Sequence, residues 1–501
     1  MGGFEQWASP FAKASEDEGC WNRLRFAGGG QRRKRTIMKI YSLSGARIAQ
    51  LSCIAFGLLG FSQTVQAQPT TTNSDYTVSV FANAPTGLSN PDSITSFQGT
   101  IFVEYANGTQ PDGTGGDSTI VQFSSTGTVL KTYQVVGKSD GMKFNPFDGK
   151  IWCLRDEDSN PALTLIDPVA GTQADYTYAE PTLHGGGYDD VVFLNGQTFI
   201  SASNPNLQPP TQQAPNGQNI YPSIVTATIV GNQVFVSPVL NGNANLIDIT
   251  TGKTVVAQQS DPDSLKVDPS GNLVLDSQAD GDLIFLNGPG FPNQKGYVLH
   301  LSNGSTTQVT VDDTVFPTQA SGTIYVVDTK ANIVYAVTSS VFPPNSAFSA
   351  SDTTGVLARV DLQTGKLTSI VTGMQSPHGA LFVSTLPEVR LEQATTSAGS
   401  TTAGSFRVSR TGDVSQALQV FLNIVDSTAK DPTSSLTTTS VTIPAGAESA
   451  LAKLALDSAG DFKEDGSQQS VLVSIALDPN YNVQSNIVNT GVQALSLPLP
   501  K

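Results

Sequence analysis

Acidic residues, and in one case a histidine, recur at the head of short apolar runs along this chain. Each occurrence begins with a turn former, places Asp or His next and continues into a run of strand length, as in NPDSI, SDGMKF, YDDVVF, DPDSLKV and SPHGALFV. The side chains at these heads are Asp92, Asp140, Asp189, Asp190, Asp263 and His378. If they converge, they could hold a divalent cation or the hydroxyl groups of a sugar. Alternatively, each aspartate caps its own turn by accepting hydrogen bonds from backbone N–H groups.

His184, in the segment LHGGGYDD, is a further candidate for the same binding rim. The three glycines after it let the backbone turn sharply or approach a ligand closely. His184 and His378 stand at equivalent positions of their units, so they could share one site as an acid and a base. The alternative is a histidine with a structural role. We find no G-x-S-x-G motif, no zinc-ligand pair and no phosphate-binding loop in the sequence.

The spacing of these heads indicates which elements position them. Asp92 and Asp140 are 48 residues apart, and Asp140 and Asp189 are 49 residues apart. The first unit contains four apolar runs, DSITSF, GTIFVEYA, STIVQFSS and TVLKTYQVV, separated by turn formers. Four-stranded units that repeat every ~40–50 residues are typical of a β-propeller, whose blades surround a central channel. We therefore predict an all-β fold with a six- or seven-bladed propeller, six being favoured.

Three further features define the order of the predicted blades. The interval from Asp190 to Asp263 is long for one blade and short for two. The segments GTIYVVDT, NIVYAVTS and VLARVDLQTGKLTSIVTG follow one another and are interpreted as one unit. The N-terminal run YTVSVFANA is predicted to be the outer strand of the last blade, whose inner strand is HGALFVS. Joining both ends of the chain in one blade removes open sheet edges.

The segment DPDSLKVDPSGNLVLDS resembles the NHL and gluconolactonase-like superfamily of propellers, which combines Pro-Asp, a strand, Asp-x-x-Gly-Asn-Leu and a second strand. The resemblance covers residues 76–386 at the level of the fold, and Asp268, Gly271 and Asn272 are explained as turn formers. It implies a metal ion in the lactonase branch, held by a Glu of an E-G-P element with Asn and Asp. This chain shows no segment that matches the E-G-P element. Streptogramin lyases are propellers with a comparable pair of histidines.

The pattern of residues changes after Leu386, and residues 387–501 are predicted to form a separate β-sandwich. This part resembles the Calx-β family: its F-x-V-x-R-x-G motif corresponds to Phe406–Gly412, and its IPAG turn to Ile443–Gly446. The resemblance implies an immunoglobulin-like sandwich with an adhesion or spacer role and, in some members, bound calcium. The candidate calcium ligands are Asp431, Asp457, Asp461 and Glu464.

The first 67 residues are interpreted as a leader followed by a secretory signal peptide. From Met38 the chain shows basic residues, the apolar stretch Ile48–Phe61 and the small-residue sequence VQA before Gln68. Residues 1–37 are interpreted as translated leader, and a genuine basic arm is the alternative. We expect cleavage near Ala67, a linker over residues 68–75, and a secreted, periplasmic or cell-surface protein without a transmembrane anchor in its mature chain.

Charge and cysteine content narrow the classes of function. Beyond residue 67 the chain keeps 18 Lys and Arg against 38 Asp and Glu, a net charge of −20, which disfavours nucleic acid and anionic membranes as partners. Cys153 is the one cysteine beyond that point, so no internal disulfide is expected. The leading hypothesis is a non-catalytic propeller that binds a carbohydrate, peptide or protein ligand through one face. The alternative is a metal-dependent hydrolase or lactonase acting at the channel mouth.

Overall fold

Short strands and tight turns make up the computed structural model of this chain. It describes residues 68–145, 147–194, 196–207, 217–304, 309–343, 346–395, 401–410, 414, 416–427, 440–453, 470–476, 478, 480–483 and 494–498. No α-helix appears in these ranges, and Gln278–Asp280 form a 3-10 turn. Accordingly, this part of the chain offers no helix of the length and apolarity that crossing a bilayer would take.

Consecutive strands form the first three blades, after two N-terminal strands, β1 (Thr70–Thr71) and β2 (Thr77–Asn83), that belong to later ones. Blade 1 consists of β3 (Pro91–Phe97), β4 (Thr100–Tyr105), β5 (Asp117–Phe123) and β6 (Val129–Val136). Blade 2 consists of β7 (Ser139–Asn145), β8 (Lys150–Arg155), β9 (Ala162–Asp167) and β10 (Thr172–Tyr178). Blade 3 consists of β11 (Val191–Leu194), β12 (Gln197–Ser201), β13 (Pro222–Val230) and β14 (Gln233–Asn241). The outer strands β10 and β14 pair in parallel and join blades 2 and 3 into one sheet.

An extra hairpin explains the long interval between Asp190 and Asp263. It consists of β15 (Asn245–Asp248) and β16 (Thr254–Val256). Blade 4 follows with β17 (Pro262–Val267), β18 (Leu273–Ser277), β19 (Asp282–Asn287) and β20 (Lys295–His300). Because β15 pairs in parallel with β20, the hairpin extends the outer edge of blade 4. His300 lies at the end of β20 and is more than half exposed.

The last two blades are interlaced in the chain. The remaining propeller strands are β21 (Asp313–Val315), β22 (Gly322–Asp328), β23 (Ile333–Ser339), β24 (Ala347–Ser351), β25 (Val356–Val360), β26 (Leu367–Thr372) and β27 (Pro377–Ser384). Blade 5 has the order β21, β24, β25, β26 and β1, and blade 6 has the order β27, β22, β23 and β2. The prediction that the three runs after Phe316 form one unit was therefore wrong, because β22 pairs with β27 and β23 with β2, and neither pairs with β24. The predicted closure holds: β2 is the outer strand of the blade whose inner strand is β27.

The inner strands form a closed ring in the order β3, β7, β11, β17, β21 and β27, with β27 in contact with β3. Hydrophobic clusters fill the spaces between neighbouring blades. Strand β4 has a nearly continuous apolar run because both of its faces are buried. Phe102 packs toward blade 2, while Val103 on the opposite face packs toward blade 6. The predicted all-β propeller is confirmed, and it has six blades.

Two four-stranded sheets lie beyond the propeller. They contain β28 (Glu388–Thr395), β29 (Thr401–Arg410), β30 (Leu418–Ser427), β31 (Ser440–Ile443), β32 (Ser449–Lys453), β33 (Ser470–Ile475), β34 (Asn482–Val483) and β35 (Ala494–Pro498). One sheet has the order β32, β29, β28, β34 and the other β31, β30, β33, β35. Side chains from both sheets, including Val389, Phe406, Val420 and Ile475, share one buried core. This arrangement is consistent with the predicted β-sandwich.

Candidate binding site at the channel mouth

The repeated sequence phrase is a β-bulge at the start of four of the six inner strands. In blade 1, Pro91 lies opposite Tyr105 and Ile94 opposite Val103, so Asp92 and Ser93 together face one residue of β4. The same two-against-one register begins β7, β17 and β27, at Asp140, Asp263 and His378 respectively. A bulge bends the strand and redirects a side chain. The phrase therefore marks the position at which each blade presents a side chain to the channel.

Blades 3 and 5 reach the same arrangement just before their inner strands. Asp189 N–H donates to the carbonyl of Ser201, while the N–H of Ser201 donates to the carbonyl of Asp190. In blade 5, Asp312 N–H donates to the carbonyl of Ala350, the residue paired with Asp313. Each of the six blades thus contributes the residue at the first position of this arrangement. These residues are Asp92, Asp140, Asp189, Asp263, Asp312 and His378. The sequence analysis missed Asp312, although VDDTVF has the same Asp-Asp-x-Val-Phe pattern as the head YDDVVF.

These six side chains line one cavity of about 300 Å³. Six of the seven predicted rim residues lie here: Asp92, Asp140, Asp189, Asp190, Asp263 and His378. Residues that the sequence analysis did not single out complete the wall, among them Lys138, Lys143, Glu157, Asp261, Asp312 and Asp313. The wall of the cavity is therefore strongly acidic, and it contains a few positively charged side chains.

His184 is not among the residues that line this cavity. It is 2% exposed, its Nε2 lies 2.6 Å from the carbonyl oxygen of Gly187, and its ring packs on Tyr188. Burial lowers the pKa of this imidazole, which favours the neutral form. The expected pairing with His378 is not found, because the glycine-rich loop folds His184 against its own backbone.

Lys138 is the cation at one side of the mouth. Its ammonium group contacts the carboxylate of Asp140, lies 2.5 Å from Glu157 Oε1 and 4.0 Å from Asp92 Oδ2. Burial raises the pKa of Asp140 well above its usual range, and the charge of Glu157 adds to the rise. Burial also acts to raise the pKa of Glu157, but the ammonium of Lys138 and the hydrogen bonds from Asp140 and Lys138 together lower that pKa. Asp140 consequently keeps its proton more readily, while Glu157 and Lys138 form the ion pair.

His378 lies between two carboxylates on the other side. Its Nδ1 is 3.1 Å from Asp312 Oδ1 and 3.3 Å from Asp92 Oδ1. Burial acts to lower the pKa of His378, but the two carboxylates outweigh it and raise the pKa to about 12. Burial raises the pKa of Asp312 to about 6, whereas His378 overcomes the effect of burial at Asp92 and lowers its pKa. His378 is therefore an imidazolium at neutral pH, suited to donating a hydrogen bond and poorly suited to act as a base.

Asp189, Asp261 and Asp263 form the part of the mouth without an internal cation. Within the described residues, no Lys, Arg or His forms an ion pair with any of them. Burial raises the pKa of Asp263 well above its usual range, and the charge of Asp189 adds to it. The pKa of Asp189 is raised in the same way by burial and by Glu157. Burial, with the charges of neighbouring acids, raises the pKa of Asp261 to about 6.

Asp190 and Asp313, at the second bulge position, connect blades. Asp190 Oδ2 accepts the backbone N–H of Leu265 at 3.0 Å and lies 3.1 Å from Lys143 Nζ. Asp313 Oδ2 accepts the N–H of Ala380 at 2.7 Å, and its Oδ1 lies 2.6 Å from the ammonium of Lys266. Both lysines occur three residues after a head aspartate, in DGMK and DSLK, and this repeated spacing is the sequence signal that could have revealed them.

Glycine occupies the second bulge position where the neighbouring backbone comes closest. A Cβ atom on Gly141 would lie 2.0 Å from the carbonyl oxygen of Asp189, and one on Gly379 would lie 2.4 Å from that of Asp92. Gly141 N–H donates to the same Asp189 oxygen at 2.8 Å. At these glycines the backbone of blade 2 comes close to that of blade 3, and the backbone of blade 6 to that of blade 1.

Two sets of side chains have the spacing that a metal ion requires. Asp140, Glu157 and Asp189 each offer one atom, all within 4.8 Å of one another, and so do Asp92, Asp312 and His378. In the first set Lys138 contacts two of the three carboxylates, and in the second the imidazole is itself between the carboxylates. The calcium ligands predicted in the C-terminal part, Asp431, Asp457, Asp461 and Glu464, lie outside the described residues.

Comparison with known proteins finds only distant structural similarity. The streptogramin B lyase structure matches 80% of this chain and 98% of its own, with 11% identity and a TM-score of 0.34. Virginiamycin B lyase from Staphylococcus aureus matches 62% of this chain and 96% of its own, with 10% identity and a TM-score of 0.37. A candidate gluconolactonase matches 68% of this chain and 91% of its own, with 10% identity and a TM-score of 0.34. No family model and no curated protein matches the sequence. At these values the similarity carries no conclusion about a site or an activity.

Proposed function

We propose that the propeller is a non-catalytic binding module that takes a small, positively charged ligand at its channel mouth. The observation that carries this proposal is the excess of carboxyl groups in the cavity. Eleven Asp and Glu residues line it, against Lys138, Lys143 and His378 as the lining cations. Each of these three cations already contacts a carboxylate of the cavity wall.

The carboxyl groups of Asp189, Asp261 and Asp263 are the expected contact points for the ligand. Carboxylates only accept hydrogen bonds, so a ligand that brings ammonium or hydroxyl donors would satisfy them. A positive charge would also relieve the repulsion among these acids, and the confined cavity would strengthen this attraction relative to open water. A volume of about 300 Å³ suits a small molecule or one group of a larger ligand, such as a sugar residue of a carbohydrate or a side chain of a peptide.

Calorimetric titration with glucosamine and N-acetylglucosamine tests this proposal, because the two sugars differ in the positive charge of the amino group. We expect glucosamine to bind more tightly, with an affinity that falls as salt is added. Asp189→Asn with Asp263→Asn should abolish the difference, whereas Asp268→Asn should keep it, since Asp268 only closes the turn before β18 through Ser270 and Asn272. Equal binding of both sugars, or none, would contradict a charge-selective mouth.

Export and an adhesion or spacer role of the C-terminal part belong to the same proposal. The supporting observations are the signal-like sequence from Met38 to Ala67 and the Calx-β-like motifs at Phe406–Gly412 and Ile443–Gly446. Calcium bound by Asp431, Asp457, Asp461 and Glu464 would stiffen such a module. Mass spectrometry of exported protein should find Gln68 at or near the N-terminus, and residues 1–37 still attached would contradict the signal peptide.

Metal-dependent hydrolysis at the mouth is the second candidate, favoured by the spacing of Asp140, Glu157 and Asp189. These residues would hold the ion, which would polarise a substrate carbonyl or lower the pKa of a water molecule. Hydrolysis of a simple lactone that requires an added divalent ion, and that is lost in Glu157→Gln, would favour this function over binding alone.

A further inference from the structure

Lys138 is held at the mouth by interactions at both ends of the residue. Its backbone N–H donates to Asp156 Oδ1 at 3.0 Å, and its carbonyl accepts the N–H of Asp156 at 2.8 Å. Glu157, the next residue after Asp156, contacts the ammonium group at 2.5 Å. The side chain is 12% exposed. The loop after β8 therefore fixes both the backbone of Lys138 and the position of its charge.

The carboxylates around this ammonium group have the spacing of a calcium site. One oxygen each from Asp140, Glu157 and Asp189 lies within 4.8 Å of the other two. Oxygen ligands lie ~2.3–2.6 Å from a calcium ion, so two ligands of one ion are at most ~5 Å apart. Asp189 is 8% exposed, lines the cavity and forms no ion pair within the described part of the chain. This third carboxyl group is thus buried beside the other two, where its side chain shares a hydrogen bond with Asp263 rather than an ion pair with a cation of the described chain.

We propose that Lys138 is an internal cation that occupies the divalent-metal position among Asp140, Glu157 and Asp189. By doing so it determines specificity: it excludes a divalent ion and leaves the mouth to ligands with ammonium or hydroxyl groups. This inference builds on the proposed binding function. An ammonium group at hydrogen-bonding distance from two carboxylates disfavours a divalent ion between the same carboxylates, because the two positive charges repel each other and the ammonium group offsets the negative charge that would attract the ion.

Removal of the ammonium group should therefore create a metal site. In the full chain, Lys138→Met is expected to bind one Mn²⁺ per molecule at least tenfold more tightly than the unaltered protein, measured by calorimetry and by the electron paramagnetic resonance signal of free Mn²⁺. Lys138→Arg keeps the charge and should show no gain. Lys143→Met removes a lysine that pairs with Asp190 in the same cavity, so it controls for a general loss of positive charge. Adding Asp189→Asn to Lys138→Met should reverse the gain.

Three results would overturn the inference. These are a folded Lys138→Met protein with unchanged Mn²⁺ affinity, tight Mn²⁺ binding by the unaltered protein at the same residues, or an equal gain in Lys143→Met. If Lys138→Met does not fold, Lys138→Gln serves instead, because its amide still donates hydrogen bonds to the carboxylates without a charge. The Mn²⁺ titration uses no organic ligand, so failure of glucosamine binding would overturn the proposed function and leave this test independent.

Discussion

The free energy of unfolding should fall as the pH rises from weakly acidic to neutral, and Asp261 gives the size of the effect. Its pKa is raised to about 6 by burial and by neighbouring acids, against ~4 for an aspartate in an unfolded chain. The unfolded chain therefore releases this proton first, and rising pH favours the unfolded state between about pH 4 and pH 6. One unit of pKa corresponds to ~1.4 kcal/mol, so about two units amount to ~3 kcal/mol. Because Asp261 is partly exposed, solvent screening reduces this to about 2 kcal/mol.

Other groups act in the same direction or outside this range of pH. Asp140, Asp189 and Asp263 also have raised pKa values and add to the loss of stability as the pH rises. The lowered pKa values of Asp92 and Glu157 contribute stability that is lost only as the pH falls through and below about 4. The propeller should thus be most stable at about pH 4–5.

Urea unfolding followed by tryptophan fluorescence measures this dependence. Trp152 is the one tryptophan beyond residue 67, and it is buried between blades 2 and 3. Between about pH 4.5 and pH 7.5 we expect Asp261→Asn to lose about 2 kcal/mol less stability than the unaltered protein. Asp268→Asn, in a turn away from the mouth, should follow the unaltered protein. A free energy of unfolding that is constant or rises over this range would refute the electrostatic reasoning.

Three further predictions concern the ring and its ions. Gly141→Ala should lower the free energy of unfolding by at least ~1–3 kcal/mol in urea titrations, because the new methyl group would lie 2.0 Å from the carbonyl oxygen of Asp189; an unchanged midpoint would contradict the close blade contact. Removal of residues 68–83 deletes β1 and β2 and exposes the edges of β26 and β23, so gel filtration should show aggregation; a soluble monomer would contradict closure by both chain ends. Calcium at millimolar concentration should raise the melting temperature of the full chain, which contains the candidate ligands Asp431, Asp457, Asp461 and Glu464. It should not raise the melting temperature of residues 68–386, because Lys138 excludes calcium from the channel mouth. A rise in the shorter chain would place the ion among the propeller carboxylates.

The parts of the fold that the sequence predicts are those set by local pattern. The dipeptides Pro91-Asp92, Pro262-Asp263 and Pro377-His378 recur because the same bulge begins three of the inner strands. The pairing of β2 with the last blade follows from the need to cover sheet edges. The interlacing of blades 5 and 6 could not be predicted in this way. The run at β22 has the same strand-like composition whether it pairs with β24 or with β27, and only packing against Tyr76 and the neighbouring blade distinguishes the two.

The candidate site was predictable only for residues that repeat. Lys138 and Glu157 lie in the loops after β6 and β8, outside the repeated phrase. Their ion pair depends on the hydrogen bond between Lys138 N–H and Asp156, which joins the two loops. His184 shows the opposite case: its neighbouring glycines suggested approach to a ligand, but Gly187 allows this loop to approach the backbone of the loop after β8. A Cβ on Gly187 would lie 2.4 Å from the carbonyl oxygens of Asp156 and Glu157. A glycine-rich segment thus predicts close approach without showing what is approached.

The two bulge positions have different physical roles, and this explains why acidic residues are tolerated at them. The second position makes the contact between blades, through glycine at Gly141 and Gly379 or through a carboxylate at Asp190 and Asp313. Since both carboxylates accept a backbone N–H and pair with a lysine, their charges are balanced within the ring. The first position faces the cavity, and there the charges are not fully balanced. Lys138 and His378 contact Asp92, Asp140 and Asp312, while no cation among the described residues pairs with Asp189 or Asp263. The cost of burying these two acids is stability that a cationic ligand would restore, so a site of this kind is expected to be most stable when it is occupied.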